Sequence, residues 1–305
     1  MMPLAALLLF LAAPARAGAL DAPDAAFAQG LYQQALSGYE AALSSGPAAD
    51  RPKALWRACE SEGLLLRTGS AYERLRGASL PDDPLWRARF ALLRAELARE
   101  ELAQSRFTRA GDVVEGAADA FRLTPAQLRS AAQEGYAEAW ASRRLLSRRS
   151  VADEAYFLDV DASDRARWPT LLDFLVERWT DFLLSDAETP AGAAKPAPES
   201  FLAEDYAVAV DSALPSAALA GALYEEASRL GGTGREAARE AWRVRRLALP
   251  FDAEDRTAPW ADETASLRAA SDRLLAWRAA FTTPVGRSEA GFEAAALLDR
   301  AGRRE

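Results

Sequence analysis

The chain has 305 residues, half of them hydrophobic and 27% charged, with 37 Lys+Arg against 45 Asp+Glu, one cysteine and no histidine. It is apolar enough to bury real cores, so global disorder is excluded, and a formal net charge of −8 removes the basic surface on which broad nucleic-acid binding depends. Without histidine there is no Ser-His or Cys-His dyad and no His-ligated zinc.

The first segment runs from Leu4 to Ala13 without a charge, followed by Pro14 and then Ala15-Arg16-Ala17, the small-x-small arrangement that signal peptidase needs. It reads as a secretory signal peptide, residues 1–17, cleaved after Ala17, although Met1-Met2-Pro3 supplies no Lys or Arg. Its apolar stretch falls short of the ~20 residues that span a bilayer, and no later stretch approaches that length. The mature chain is therefore expected in the periplasm or secreted, with no stable membrane span. Loss of Arg16 takes its formal charge from −8 to −9. Cys59 is the one thiol, so no intramolecular disulfide forms and stability rests on packing.

Beyond residue 18, almost every segment between Pro and Gly punctuation reads as helix, because Ala, Leu, Arg and Glu dominate. Leu55, Trp56, Cys59, Gly63 and Leu66 lie along one stripe of a helix over residues 52–67 that Gly69 ends. A longer helix spans residues 85–106 with Trp86, Phe90, Leu93, Leu97 and Leu102 inward. Thr124-Pro125-Ala126-Gln127 combines a capping residue, a first-turn proline and a Gln three residues on, which predicts a helix start running to about Arg148. Trp168-Pro169-Thr170 opens another, with Leu171, Leu172, Leu175, Trp179, Phe182 and Leu183 on a wide apolar face. Residues 186–200 carry Pro190, Pro196 and Pro198 without apolar period and read as a linker. Tyr206, Val208 and Val210 alternate with other residues as a short extended piece. Helices resume over residues 216–230, 235–247, 263–281 and 288–301, separated by Gly231-Gly232, Pro250 and Pro284.

The expected fold is all-α: antiparallel helix hairpins stacked as a solenoid or an irregular bundle. The domains expected are an N-terminal helical-repeat-like domain over residues 18–185, the linker 186–200, and a C-terminal helical domain over residues 201–305.

Gly30-Leu31-Tyr32, with Ala35, Tyr39 and Ala42 behind it and Pro47 closing the segment, resembles the second helix of a tetratricopeptide repeat. Small residues seven apart let a partner helix approach closely, and the aromatic between them fills the gap. Ala132, Tyr136 and Ala139 repeat the spacing, as do Ala220, Tyr224 and Ala227, but without the flanking Gly and Pro. Their separations are no multiple of the roughly 34-residue repeat, so a strict array is not expected. A second stretch, Arg167-Trp168-Pro169-Thr170-Leu171-Leu172-Asp173-Phe174-Leu175 through Asp181-Phe182-Leu183, looks like part of the N-terminal helical region of large bacterial alpha-2-macroglobulin-like proteins. Residues 222–227 and 237–242 are similar in kind to the helical pairs that follow there. The resemblance implies a detached or truncated front end of such a protease inhibitor. No trapping chemistry carries over, since Cys59-Glu60-Ser61-Glu62 has Glu62 where the thioester needs Gln.

Local clusters carry no reaction. Asp159, Asp161 and Asp164 suggest a calcium loop, but Asp164 and Thr170 stand where Gly and the bidentate Glu belong. Glu96, Glu100 and Glu101 share one helix and cannot face each other across a cleft. Arg143, Arg144, Arg148 and Arg149, then Arg243, Arg245 and Arg246, and Arg303 and Arg304, read as helix-end charges that offset the macrodipole. The tryptophans read as core fillers, with Trp260 expected to be exposed. No catalytic, cofactor-binding or metal-ligating residue is assigned and no cofactor is expected. What remains is an exported, non-catalytic scaffold, with tetratricopeptide-like character, that binds protein partners in the cell envelope and no nucleic acid.

Overall fold

The structure, a computed structural model, describes residues 18–105, 123–185, 194–204, 206–253 and 256–303. Residues 1–17, which read as a signal peptide, Arg106, the first eight residues of the 186–200 stretch, and Arg304 lie outside the described residues. Among the described residues, thirteen α-helices and two 3-10 turns make up the regular structure, and there is no strand. The fold is all-α, with consecutive helices packed on one another. It divides into two compact units at Arg67, one of helices α1–α3 and the other of α4–α13.

In the first unit α1 (Asp21–Ala28), α2 (Tyr32–Ser45) and α3 (Arg51–Leu64) pack in sequence order. Gly30, at φ 75°, makes the turn into α2, a conformation with no steric cost for glycine. Ala35, Tyr39 and Ala42 are all buried, so the small-aromatic-small spacing faces the core as expected. The Tyr39 hydroxyl donates to Asp24 Oδ1 at 2.6 Å, tying α2 to α1. A Cβ on Gly38 would lie 2.8 Å from Pro23 Cβ, which shows how closely these helices approach.

Helix α3 ends a turn earlier than its apolar stripe predicts. The Arg67 amide donates to Glu62 O at 2.8 Å and the Leu66 amide to Gly63 O at 2.9 Å, a Schellman closure. Leu66 therefore swings out and is 81% exposed instead of continuing the stripe of Leu55, Trp56 and Cys59, which are buried. Gly69 does not end this helix; it lies in the first turn of α4 (Thr68–Gly77).

In the second unit α5 (Pro84–Ser105) packs against α6 (Pro125–Ala141). The contact needs a bare backbone, since a Cβ on Gly135 would stand 2.8 Å from Ala91 O and 2.9 Å from Ala95 Cβ. Thr124 and Gln127 form the expected reciprocal cap at the start of α6. After the one-turn α7 (Arg143–Leu146), a 3-10 turn at Val151–Glu154 and the short α8 (Ala162–Arg167), helix α9 (Leu171–Ser185) buries its whole predicted apolar face. It packs on α6 and on α10 (Ser216–Arg229), and α10 packs on α11 (Glu236–Asp252). The hairpin of α12 (Glu263–Ala280) and α13 (Pro284–Gly302) closes the unit over a core of Val244, Leu247, Phe251, Leu267, Leu274 and Leu297, among others.

Residues 194–200, the described part of the 186–200 stretch, belong to this unit, whose α9 and α10 pack together. That part is not a free tether. Pro198–Leu202 forms a 3-10 turn with Pro198 and Phe201 buried, and Pro196 O accepts from the Ala258 amide at 3.0 Å. Phe201 stacks on Tyr206, with ring centroids 5.2 Å apart, and presses on Gly221 of α10. Residues 206–210 are irregular, without strand pairing. Pro250 does not separate two helices: it is buried in the last turn of α11, where packing offsets the missing amide bond. Trp260 is half-buried, stacked on Phe251 at 4.6 Å, because the terminal core offers it an aromatic partner.

Candidate functional site

Several charged residues of the second unit hold helices to one another. Asp173, in the first turn of α9, and Arg235, just before α11, are both 0% exposed and bond through two N–H···O contacts of 3.0 and 2.5 Å. Thr170 Oγ1 and Trp242 Nε1 also donate to that carboxylate, at 2.6 and 3.0 Å. Arg89 of α5 grips the buried Glu154 at 2.7 and 2.8 Å, and Arg149 adds a third bond. Arg178 of α9 and the Tyr136 hydroxyl of α6 both donate to Glu96 of α5. Burial first, and then the Glu96 carboxylate, pushes the Tyr136 phenol well above its ordinary range, so it acts as a donor at any physiological pH.

These networks dispose of the clusters singled out in the sequence. Glu96 is committed to Arg178 and Tyr136, while Glu100 accepts from Gln104 at 3.2 Å, so the two do not form a carboxylate pair. Asp161 caps α8 by accepting from the Asp164 amide at 2.8 Å, so the acidic loop is a helix start. Three of the arginines read as helix-end charges instead make ion pairs between helices: Arg143 with Glu226, Arg245 with Glu177, Arg246 with Glu225. Arg243, Arg245 and Arg246 are not at a helix end, because α11 continues to Asp252.

One face of α11 is different. Glu236, Arg239, Glu240 and Arg243, at three- and four-residue steps, line the floor of an open trough. The C-terminal end of α10 forms one wall, and the α12–α13 corner, with Trp277, Phe281 and Thr282, forms the other. The cavity measures about 510 Å³. Glu225 is held at the floor by Arg246 and Arg229, at 2.8 and 2.7 Å. Glu240 receives the backbone amides of Thr282 and Thr283 at 2.6 and 3.2 Å and both of their hydroxyls. Burial alone would raise the Glu240 carboxyl, but these donors, led by the Thr283 hydroxyl, outweigh it and hold the group below its usual range. Gly286 fits only because it lacks a Cβ, which would collide with the Glu240 carboxylate.

Two arginines in the trough remain uncommitted to any carboxylate among the described residues. Arg239 donates through Nε to Ser228 O at 2.7 Å, and Arg243 lies over the half-buried Trp277 ring, 5.0 Å from its centroid. The sequence reading missed this face because it treated Arg243 as a helix-end charge. The signal was present in the regular polar recurrence 236, 239, 240, 243, which only its neighbours turn into a trough. A second recess, on the first unit, is shallow and lined by Leu31, Tyr32 and Leu65. No group of three or more metal-ligating side chains occurs among the described residues, and no helix among them is long and apolar enough to cross a membrane. No protein family, curated protein or solved structure matches this chain significantly.

Proposed function

We propose that this chain is an exported, non-catalytic helical scaffold of the cell envelope that docks a segment of a partner protein in the α10–α11–α12 trough. The observation that carries this reading is the bare polar face of α11, open to solvent between two packed helical walls. Stacked helical pairs create concave surfaces of this kind, which accommodate an extended or helical segment. The polar groups buried elsewhere in the unit serve helix-to-helix ties, which suits a rigid frame.

Export predicts that protein recovered from the envelope of a producing bacterium begins at Gly18, as read by mass spectrometry of its N-terminal peptide. A photocrosslinking residue placed at Ala280, on the wall of the trough, should then capture one defined envelope protein, while the same residue at the exposed Asp82 should not. Full-length protein retained in the cytoplasm, or identical capture from both positions, overturns the proposal.

A further inference from the structure

Resting on the trough as the docking site, we propose that its occupant is an acidic segment of the partner protein, whose carboxylates are received by Arg239 and Arg243. Some charges in the trough are already satisfied. Glu225 is matched by two arginines and Glu240 by four hydroxyl and amide donors. The terminal guanidinium nitrogens of Arg239 and Arg243 have no such partner among the described residues. These two side chains stand one helical turn apart on the same face, so one short segment can reach both.

Arg243 is also preorganised. Its guanidinium carbon lies over the Trp277 ring, 5.0 Å from the centroid, a cation–π contact that holds the charge in the trough and leaves N–H donors for a carboxylate. Beneath it, burial lowers the affinity of the Arg246 guanidinium for its proton; Glu225 opposes this, and Arg243 and Arg273 add to it. Arg243 and Arg273 thus add positive charge near Arg246, which the Glu225 carboxylate opposes.

The acidic residues of the trough limit what fits. Glu204 and Glu236 line it without a cation partner among the described residues, so a long polyanion is repelled where a short acidic motif is not. The overall charge of −8 opposes any anion at long range, but screening over about 8 Å at physiological salt leaves the local guanidinia in control.

The test uses isothermal titration of the full-length chain with a blocked peptide carrying two adjacent glutamates between alanines, its glutamine twin, and free glutarate. The expected result is saturable binding of the glutamate peptide, at least tenfold tighter than its glutamine twin or glutarate. Arg239→Gln with Arg243→Gln should weaken it at least tenfold, with unchanged helical circular dichroism, whereas Arg76→Gln on α4 leaves it intact. Equal binding of the two peptides, or indifference to the paired substitution, overturns the proposal; glutarate binding as tightly as the peptide makes this a small-molecule site and overturns it too. If the Ala280 crosslinker captures one partner while the acidic peptide fails, the docking reading stands and only the acidic occupant falls. If both fail, both fall.

Discussion

Leu66 sits at φ 59°, a left-handed conformation that crowds the Cβ of any side chain against its own backbone and costs a non-glycine residue about 1–2 kcal/mol. Nothing repays that cost through burial, because the side chain is 81% exposed. Glycine is the preferred residue at this position of a Schellman closure, though it loses about 0.5–1 kcal/mol of chain entropy on folding. Leu66→Gly should therefore stabilise the first unit by about 0.5–1 kcal/mol in urea unfolding followed by circular dichroism, a net of the two effects. Leu66→Ala, which keeps the strain, should gain nothing. Glu293 makes the opposite kind of conflict. Burial pushes its carboxyl above the usual value near 4.5, and the Asp252 carboxylate adds to the rise. A raised folded-state value means that the penalty of keeping Glu293 charged acts at neutral pH and is relieved as pH falls toward and below 4.5. Glu293→Gln should accordingly raise the thermal midpoint at pH 7 and make no difference below pH 4.5. A lower midpoint at pH 7 would show that the carboxylate is stabilising there.

At the scale of elements, the Asp173–Arg235 pair decides how α9 meets the α10–α11 corner. Arg235 also donates to Leu230 O at 2.6 Å and to Ala227 O, satisfying the carbonyls left open at the end of α10. The corner is tight enough that a Cβ on Gly232 would stand 2.5 Å from Ser147 O. Removing one partner leaves the other charge buried alone, at a cost of about 3–5 kcal/mol. Asp173→Ala or Arg235→Met alone should show that loss in chemical unfolding, and the double variant should recover part of it. If the two losses simply add, the pair is not coupled and the corner is held by apolar packing instead. The same logic explains the sequence motif around residue 170: Trp168-Pro169-Thr170 starts α9 because Thr170 both caps the helix and donates to the Asp173 carboxylate.

Across the whole molecule, the helical content and most buried faces were legible in the sequence. The triplets at Ala35, Ala132 and Ala220, each with its aromatic four residues on and a second alanine three beyond, all point into cores. That follows because a seven-residue spacing of small groups keeps one side of a helix within reach of a neighbour, whatever that neighbour is. The site was less legible. Arg239 and Arg243 belong to the same arginine-rich helix as Arg245 and Arg246, with Arg235 just before it, and residue type alone cannot separate the arginines that tie helices together from those left facing the trough. The difference lies in Asp173, Glu177 and Glu225, contributed by other helices.

The sequence by itself determined an all-helical chain with identifiable starts at Thr124 and Thr170 and correctly oriented apolar faces, because propensity, capping and periodicity are settled within a few neighbouring residues. Only the tertiary structure decided that the helix through Cys59 stops short of Leu66, that Phe201 anchors a stretch that reads as linker, and that α11 keeps one polar face open. Each of those outcomes depends on which distant side chains arrive alongside, and that information is spread over the chain instead of residing in any one segment.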